Sequence, residues 1–363
     1  MKEKVKAYIE SIKDELITLS HNIHANPEIS FTEYKSSAFI VEVLRNHGFE
    51  VEYPYANVET AFKATKKGKG EGPKIAILAE YDALPEIGHA CGHNVIATCS
   101  TGAFLALSEI MDNYDGEIAI IGTPAEEGGG GKIHILNNGG FDGYEYALMM
   151  HPSSGERGLV NRGGRAATSV YVEFFGKAVH SSAPAHGINA LNAMIKLFNN
   201  IDMMRPTFHP QNNVNGIIEK GGSAANAIPD YTKAHFSLRA ETLIELKKLA
   251  ECIKKCAQNA ADFVGAKYEV TVGDMYAERY PNLQCVLLSR LTVKNSVCLW
   301  TLQSQAECTA PPISAMFPSR CLQSTTTSHF ATTVFQAITE LIQSRPTSHA
   351  QTQSVSSAQR LSQ

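Results

Sequence analysis

A thiol, two imidazoles and a pair of adjacent carboxylates follow three short apolar runs in this chain. Residues 75–79 lead to Asp82, Cys91 and His93. Residues 118–121 lead to Glu126 and Glu127, and residues 146–150 lead directly to His151. Thiolate, imidazole and carboxylate are the ligand types of zinc-like divalent ions. Cys91-Gly92-His93 sets two of them on either side of a glycine. Glu126-Glu127 stands between Pro124 and the glycines at 128–131. In so tight a loop one carboxylate can hold a metal while its neighbour takes a proton from water. The residue types alone leave open which acid does which. Taken singly, each feature has an ordinary explanation: a core thiol beside a surface imidazole, a solvated acidic pair, a structural histidine at a strand end. Three such features at three consecutive strand ends are better explained by one metal site with a base beside it. Asp82, two residues past Glu80, is placed to orient a ligand imidazole through a hydrogen bond; a turn or cap residue is the competing reading.

The elements that must position these groups follow from the hydrophobic pattern. Residues 1–50 read as two helices around a loop: 24–28 breaks the first, and 33–47 makes the second, stopped by Gly48. Residues 50–161 alternate strand and helix, the clearest helix being 94–110 with Asn94 as its cap. This rhythm predicts an α/β fold, a mostly parallel sheet flanked by helices, with ligands beyond the carboxyl ends of its strands. Past Gly163-Gly164, which reads as a hinge, the pattern changes. Strand 167–175, helix 188–204, strands 214–219 and 231–239, helix 242–264 and strand 268–272 give the βαββαβ order of a ferredoxin-like domain. The boundaries read as residues 163–275 for this inserted domain, and 1–162 plus about 276–363 for the metal-binding domain around it.

The 363 residues, 44% of them hydrophobic, suffice for two domains. A net charge of −4 with no long basic run argues against a nucleic-acid partner. No stretch of about twenty apolar residues argues for a membrane span, and the charged, amphipathic start is unlike a secretory signal. The eight cysteines are scattered, and Cys252 and Cys256 stand one helical turn apart, as reduced core thiols would; the expected location is cytoplasmic. Residues 128–132 have the glycines and lysine of a phosphate loop, but Ile133 stands where a hydroxyl would hold magnesium, which excludes that reading.

The tail has a different composition. Gly273 is the last of 27 glycines and Asp274 the last aspartate; Ser, Thr and Gln dominate thereafter. An α/β domain needs glycine at turns and close approaches, so residues 284–363 are not expected to complete the fold. A helix is expected at 330–343 and disorder past Arg345.

With these residues in view, the chain resembles the M20 family of metallopeptidases, in particular its amidohydrolase branch. The resemblance rests on His24-Ala25-Asn26-Pro27-Glu28, Glu80-Tyr81-Asp82-Ala83-Leu84-Pro85, Gly88-His89-Ala90-Cys91-Gly92-His93-Asn94, Thr123-Pro124-Ala125-Glu126-Glu127-Gly128 and Met149-Met150-His151-Pro152. In the inserted domain it rests on Gly176-Lys177-Ala178-Val179-His180-Ser181-Ser182 and Asn226-Ala227-Ile228-Pro229-Asp230. It covers residues 1–283. It implies a zinc-peptidase-like catalytic domain with an inserted lid and dimerisation domain. Cys91, His93, Glu127 and His151 are implied as metal ligands, with Cys91 able to bridge two divalent ions (Zn, Mn or Co). Glu126 is implied as the general base acting on water, and His180 as the residue that steadies the oxyanion from across a homodimer interface. Asn226 and Arg239 are implied as contacts to a substrate carboxylate, which suits the arginine fork. Glu80 marks the branch, since other members carry a histidine ligand there. The implied reaction is hydrolysis of the amide bond of a small N-acyl amino acid or dipeptide-like substrate.

One departure bears on activity. The family draws its last histidine ligand from the C-terminal part of the catalytic domain, and His329 and His349 match it only by residue type. A catalytically impaired relative is therefore the alternative reading. Residues 313–318, back-translated and reread one base over, can encode Asn-Ile-Ser-His-Val-Ser, similar to an Asn-Val-Ser-His element of the family. A shifted reading frame or misjoined exon accounts for both observations. The expected finding in the coding DNA is an intact alternative frame across residues 284–363; without it this account of the tail is wrong.

Overall fold

The apolar runs at 75–79 and 118–121 become neighbouring parallel strands at the centre of a five-stranded sheet. They do so in a computed structural model that describes residues 2–152, 158–159, 163–280 and 300–301. The chain divides into two units, Gly163–Pro281 and the chain on either side of it. In the first unit, helices α1 (Lys2–Ser11), α2 (Lys13–Ala25) and α3 (Tyr34–Asn46) precede strands β1 (Val51–Glu52), β2 (Phe62–Lys67) and β3 (Lys74–Ala79). Helix α4 (His93–Ser108), β4 (Glu117–Gly122), α5 (Gly131–Asn137), β5 (Tyr146–Leu148) and the short β6 (Gly158–Leu159) follow. The sheet order is β1-β2-β4-β3-β5. Strands β4, β3 and β5 run parallel, while β2 and β1 add an antiparallel margin.

The parallel centre is buried on both faces, as its continuous apolar sequence requires. Successive side chains go to opposite faces. Ile118 and Ile120 join the core under α1–α4, whereas Ala119 and Ile121 join a smaller cluster with Tyr55, Val58 and Ile135 of α5. Helix α4 is buried all round, as expected of a helix without a polar face. Its small residues let α2 approach closely: a methyl group at Gly102 would lie 2.8 Å from Leu16 Cδ1. Two details differ from the sequence reading. The first expected helix is broken at Ile12 into α1 and α2. Asn94 is not the cap of α4: the helix begins at His93 after Gly92, with no side-chain cap bond, and buried Asn94 donates instead to Ser20 Oγ at 3.0 Å.

The second unit is a four-stranded antiparallel sheet in the order β12-β7-β11-β9. Its strands are β7 (Ala166–Phe175), β9 (Asn213–Lys220), β11 (Tyr231–Ala240) and β12 (Lys267–Val272), with helices α6 (Ala190–Met204) and α7 (Leu243–Val264). This is the ferredoxin-like arrangement. Strict alternation on β7 and β11 turns Val170, Val172, Phe174, Ala234, Phe236 and Leu238 into one core with the helices. Thr242 caps α7 by accepting from the Glu245 N–H, and left-handed Gly265 ends it. Two short strands, β8 (Val179–His180) and β10 (Ala227–Ile228), pair beside this sheet. A last pair, β13 (Trp300–Thr301), lies parallel to β6. Apart from Trp300 and Thr301, the expectations for residues 284–363, including His329, His349 and a helix at 330–343, lie outside the described residues.

Candidate metal centre

Three parallel strands end at one rim, and each end is shaped by a local device. Past β3, Tyr81 turns into the core, where its hydroxyl donates to the Thr60 carbonyl at 2.6 Å and its ring stacks on Phe62. Glu80 and Asp82, on either side of it, are both buried against His93. The connection to α4 ends at Gly92, whose φ of +77° is a left-handed value that glycine adopts without steric cost. Past β4, Thr123 is tied to Ala79 by its N–H and its hydroxyl. Ala125, at φ +58°, then turns the chain so that Glu126 and Glu127 precede α5. Past β5 comes His151-Pro152, and a methyl group at Gly92 would lie 2.7 Å from Pro152 Cγ. Glycine at 92 thus serves both the turn and the close approach of the third strand end.

Asp82 joins the first two ends. Its Oδ1 lies 2.9 Å from His93 Nδ1, and its Oδ2 accepts the Glu127 N–H at 2.8 Å. With Nδ1 turned to a carboxylate, Nε2 is the ring atom left for a metal. Nε2 faces Glu80 Oε2 at 3.5 Å, Glu127 Oε1 at 3.6 Å and Glu126 Oε2 at 3.9 Å. His93, Glu126 and Glu127 each offer a ligand atom within 4.8 Å of the others, as do Glu80, His93 and His151. The rings of His93 and His151 meet edge to face, with centroids 5.7 Å apart. Glu80 Oε2, His93 Nε2 and Glu127 Oε1 are buried without a hydrogen-bond partner. Buried polar atoms are seldom left so, because their desolvation is then uncompensated. Three of them converging, with donors of the right type, fit a divalent ion.

The electrostatics point the same way. Burial disfavours the charged form of His93, yet its bond to Asp82 and the charges of Glu80 and Glu127 prevail and raise it to about 9. Burial likewise opposes ionisation of Asp82, but the His93 bond and backbone N–H groups hold its carboxyl below the usual value. Burial, then the charge of Glu80, raise Glu126, which moves a carboxylate towards the range of a working base. Burial and then a hydrogen bond to Glu127 push the Cys91 thiol up to about 12. Cys91 therefore stands against Glu127, as a thiol in the absence of metal.

Of the residues singled out from sequence, Asp82, Cys91, His93, Glu126, Glu127 and His151 come together here. His180 and Asn226 lie in the other unit as neighbours: Asn226 O accepts the Ser181 N–H, and His180 pairs with Ala227. Arg239 is on β11, eight residues beyond Tyr231, about 26 Å along the strand; within this unit it is not brought to His180. Two participants escaped the sequence reading. Glu80 stood out only as a mark of the branch, yet it offers an unpartnered buried oxygen. Lys132, in the segment rejected as a phosphate loop, forms an ion pair with the other oxygen of Glu80. Their signal was position: one flanks Asp82, and the other opens the helix after the glutamate pair.

Two outcomes follow. Metal binding requires neutral His93, whereas the metal-free ring holds its proton up to about pH 9. Apparent affinity for Mn²⁺ or Zn²⁺ should therefore fall roughly tenfold per pH unit below that value for each proton displaced. Calorimetry in buffers of different ionisation enthalpy should register proton release; heats independent of buffer would contradict it. The sign for stability is opposite. Raised above its unfolded value near 6.5, His93 stabilises the metal-free fold fully below that pH, and the contribution is lost as pH rises through about 9. Second, Gly92→Ala should lower stability by about 1–2 kcal/mol, through a left-handed alanine, and weaken metal binding by displacing Pro152. Denaturant unfolding and metal titration of the variant check this; an unchanged metal affinity would show that the Gly92–Pro152 approach does not set His151.

The chain is similar to known proteins in sequence and in fold. Residues 162–263 match the peptidase dimerisation domain of M20 proteins. The mouse (Mus musculus) Xaa-Arg dipeptidase is 32% identical over 288 residues, covering 74% of this chain and 65% of that protein. The chain thus spans slightly less than two thirds of this curated relative. Among solved structures, an aminohydrolase from methicillin-resistant Staphylococcus aureus superposes with a TM-score of 0.75 at 21% identity, covering 94% of this chain and all of that one. A dinuclear metal-binding peptidase from Bacillus subtilis superposes with a TM-score of 0.68 at 18% identity, covering 93% and 100%. These two share the fold of this chain. Residues 162–263 thus carry the dimerisation domain of M20 peptidases, and the chain is similar over most of its length to dipeptidases and amidohydrolases, in keeping with the amidohydrolase branch of the M20 family.

Proposed function

We propose that this chain is a metal-dependent hydrolase that cleaves the amide bond of small N-acyl amino acids or dipeptides. The observation that carries the proposal is the convergence of unpartnered Glu80 Oε2, His93 Nε2 and Glu127 Oε1 beside Glu126. His93, Glu127, His151 and Cys91 would hold two divalent ions, with Glu80 as a further oxygen donor. Bound there, such ions polarise a carbonyl and lower the pKa of water towards about 7.

The chain's own residues supply the rest. Glu126, half-buried and with a raised pKa, takes a proton from the attacking water and delivers it to the leaving amine. Asp82 keeps the His93 ring in one tautomer and fixes the Glu127 backbone. His180 is the donor to the developing oxyanion, contributed by the dimerisation unit of a second copy. Its Nδ1 accepts the Ser182 N–H at 3.2 Å and lies 2.8 Å from the Ser182 hydroxyl, an arrangement that favours the proton on Nε2, the atom that would donate. Asn226 would contact the substrate next to it, and Arg239 remains the candidate for a substrate carboxylate. Among the described residues no helix is long and apolar enough to cross a membrane. Four cysteines among them are free, which supports a reducing compartment.

The tail composition favours a second reading, a chain that binds metal but turns over slowly for want of the last ligand. Metal stoichiometry measured beside hydrolysis of a panel of acyl amino acids and Xaa-Arg dipeptides separates the two. In the active case, Glu126→Gln should keep its metal and lose about a thousandfold or more in kcat, as a base acting on water requires. Turnover close to normal in that variant would remove Glu126 from the mechanism.

A further inference from the structure

We propose that Glu33 is a positioning residue for the Glu126-Glu127 pair: its buried carboxylate holds the Ala125 backbone in the left-handed turn that directs both acids to His93. The inference rests on the proposed metal site. Glu33 is fully buried, just ahead of α3. Its Oε1 accepts two backbone N–H groups, from Phe31 at 2.8 Å and from Ala125 at 2.9 Å. Both donors belong to non-glycine residues with positive φ, +62° and +58°. Such a conformation crowds the Cβ against the backbone and persists only where the surroundings enforce it. One carboxylate oxygen secures both.

The other oxygen reaches the remaining strand end. Thr60 Oγ1 donates to Glu33 Oε2 at 2.9 Å, and the Thr60 carbonyl accepts the hydroxyl of Tyr81, the residue between Glu80 and Asp82. Glu33 is thus bonded directly to the loop that bears Glu126 and Glu127, and through Thr60 to the segment that bears Glu80 and Asp82. Packing reinforces the link. The Phe31 ring covers Gly129, where a methyl group would lie 2.3 Å from Phe31 Cε2, and it meets His134 edge-on. The three hydrogen bonds to the Glu33 carboxylate described above, from Phe31, Ala125 and Thr60, all come from neutral donors. A buried charge compensated only by oriented N–H and O–H groups is costly, and here what those groups fix is the conformation of the glutamate loop.

The test uses the full chain, titrated with Mn²⁺ and assayed on the peptide panel at pH 8. Glu33→Ala should weaken metal binding about 10–100-fold, the range for outer partners of metal sites. Its kcat should fall about a hundredfold, as for a misplaced catalytic group, with KM nearly unchanged. Glu33→Gln keeps an oxygen for both backbone N–H groups, and should stay within about threefold of the parent on both measures. Adding Ala125→Gly to Glu33→Ala should recover at least tenfold of the lost affinity and kcat, because glycine enters the turn unaided. A purely space-filling role would not be rescued at residue 125. Should Glu33→Ala not fold, Glu33→Asp, too short to span Phe31, Ala125 and Thr60, carries the same expected loss and rescue. Parental metal affinity and turnover in Glu33→Ala, or no rescue by Ala125→Gly in a folded chain, would overturn the proposal. If the parent binds Mn²⁺ but hydrolyses nothing in the panel, the proposed activity fails, while the titrations still decide the role of Glu33. A parent that binds no metal overturns both.

Discussion

The two-sided grip of Asp82 is the constraint on which the site depends. One carboxylate bonds an imidazole at the start of α4 and a backbone N–H past β4, so a candidate ligand from each of two connections is set by a single side chain. That grip works because Asp82 is buried and stays ionised. Burial opposes the charge, but the His93 bond and the N–H groups more than offset it. Asp82 is in turn placed by its neighbour Tyr81, whose hydroxyl finds the Thr60 carbonyl within the core. The chemistry at the rim is therefore referenced to the centre of the sheet rather than to its loops.

The connections themselves are held by backbone conformations that few residues adopt freely. Gly92 and Gly130 take positive φ immediately before α4 and α5, so that each helix starts at the rim. At Ala125 the same conformation is imposed on a residue with a Cβ, and three features surround it: the Glu33 bond, the Phe31 ring on Gly129, and the tight contact of Gly131 with the Pro124 carbonyl. Rigid placement of ligands before metal arrives reduces the ordering that binding must supply. This is the physical sense in which the fold prepares the site.

What could be read in the sequence follows from the range of the forces involved. Strands β3 and β4 are legible because both faces are buried and every residue in them reports it. The ferredoxin-like unit is legible because β7 and β11 alternate cleanly and α7 has a threonine cap and a terminal glycine. Strand β2 is harder: its Lys63, Lys66 and Lys67 weaken the apolar pattern, and it is identified by pairing with β4. Helix α5 begins in a glycine run that reads as loop. At the site, Cys91, His93, Glu126, Glu127 and His151 are legible by type and by position after strands. Glu33, Glu80 and Lys132 are not, because a charged residue reads as solvated until tertiary structure shows it buried or paired.

Charge balance bears on how many ions the site takes. Glu80, Asp82, Glu126 and Glu127 crowd around His93, and Lys132 is the lysine paired into the group. Without metal, the proton on His93 offsets part of the excess, while burial, and then the hydrogen bond to Glu127, keeps the Cys91 thiol protonated. Loading metal reverses this. On the proposed ligand set the imidazole would become neutral and the thiol a thiolate, so four carboxylates and a thiolate would then oppose one ammonium. Two divalent ions would bring that set to neutrality, whereas one would leave two negative charges in a partly buried pocket, at a cost that grows as the dielectric falls. The proposed pair of ions thus rests on electrostatic need as well as on ligand count.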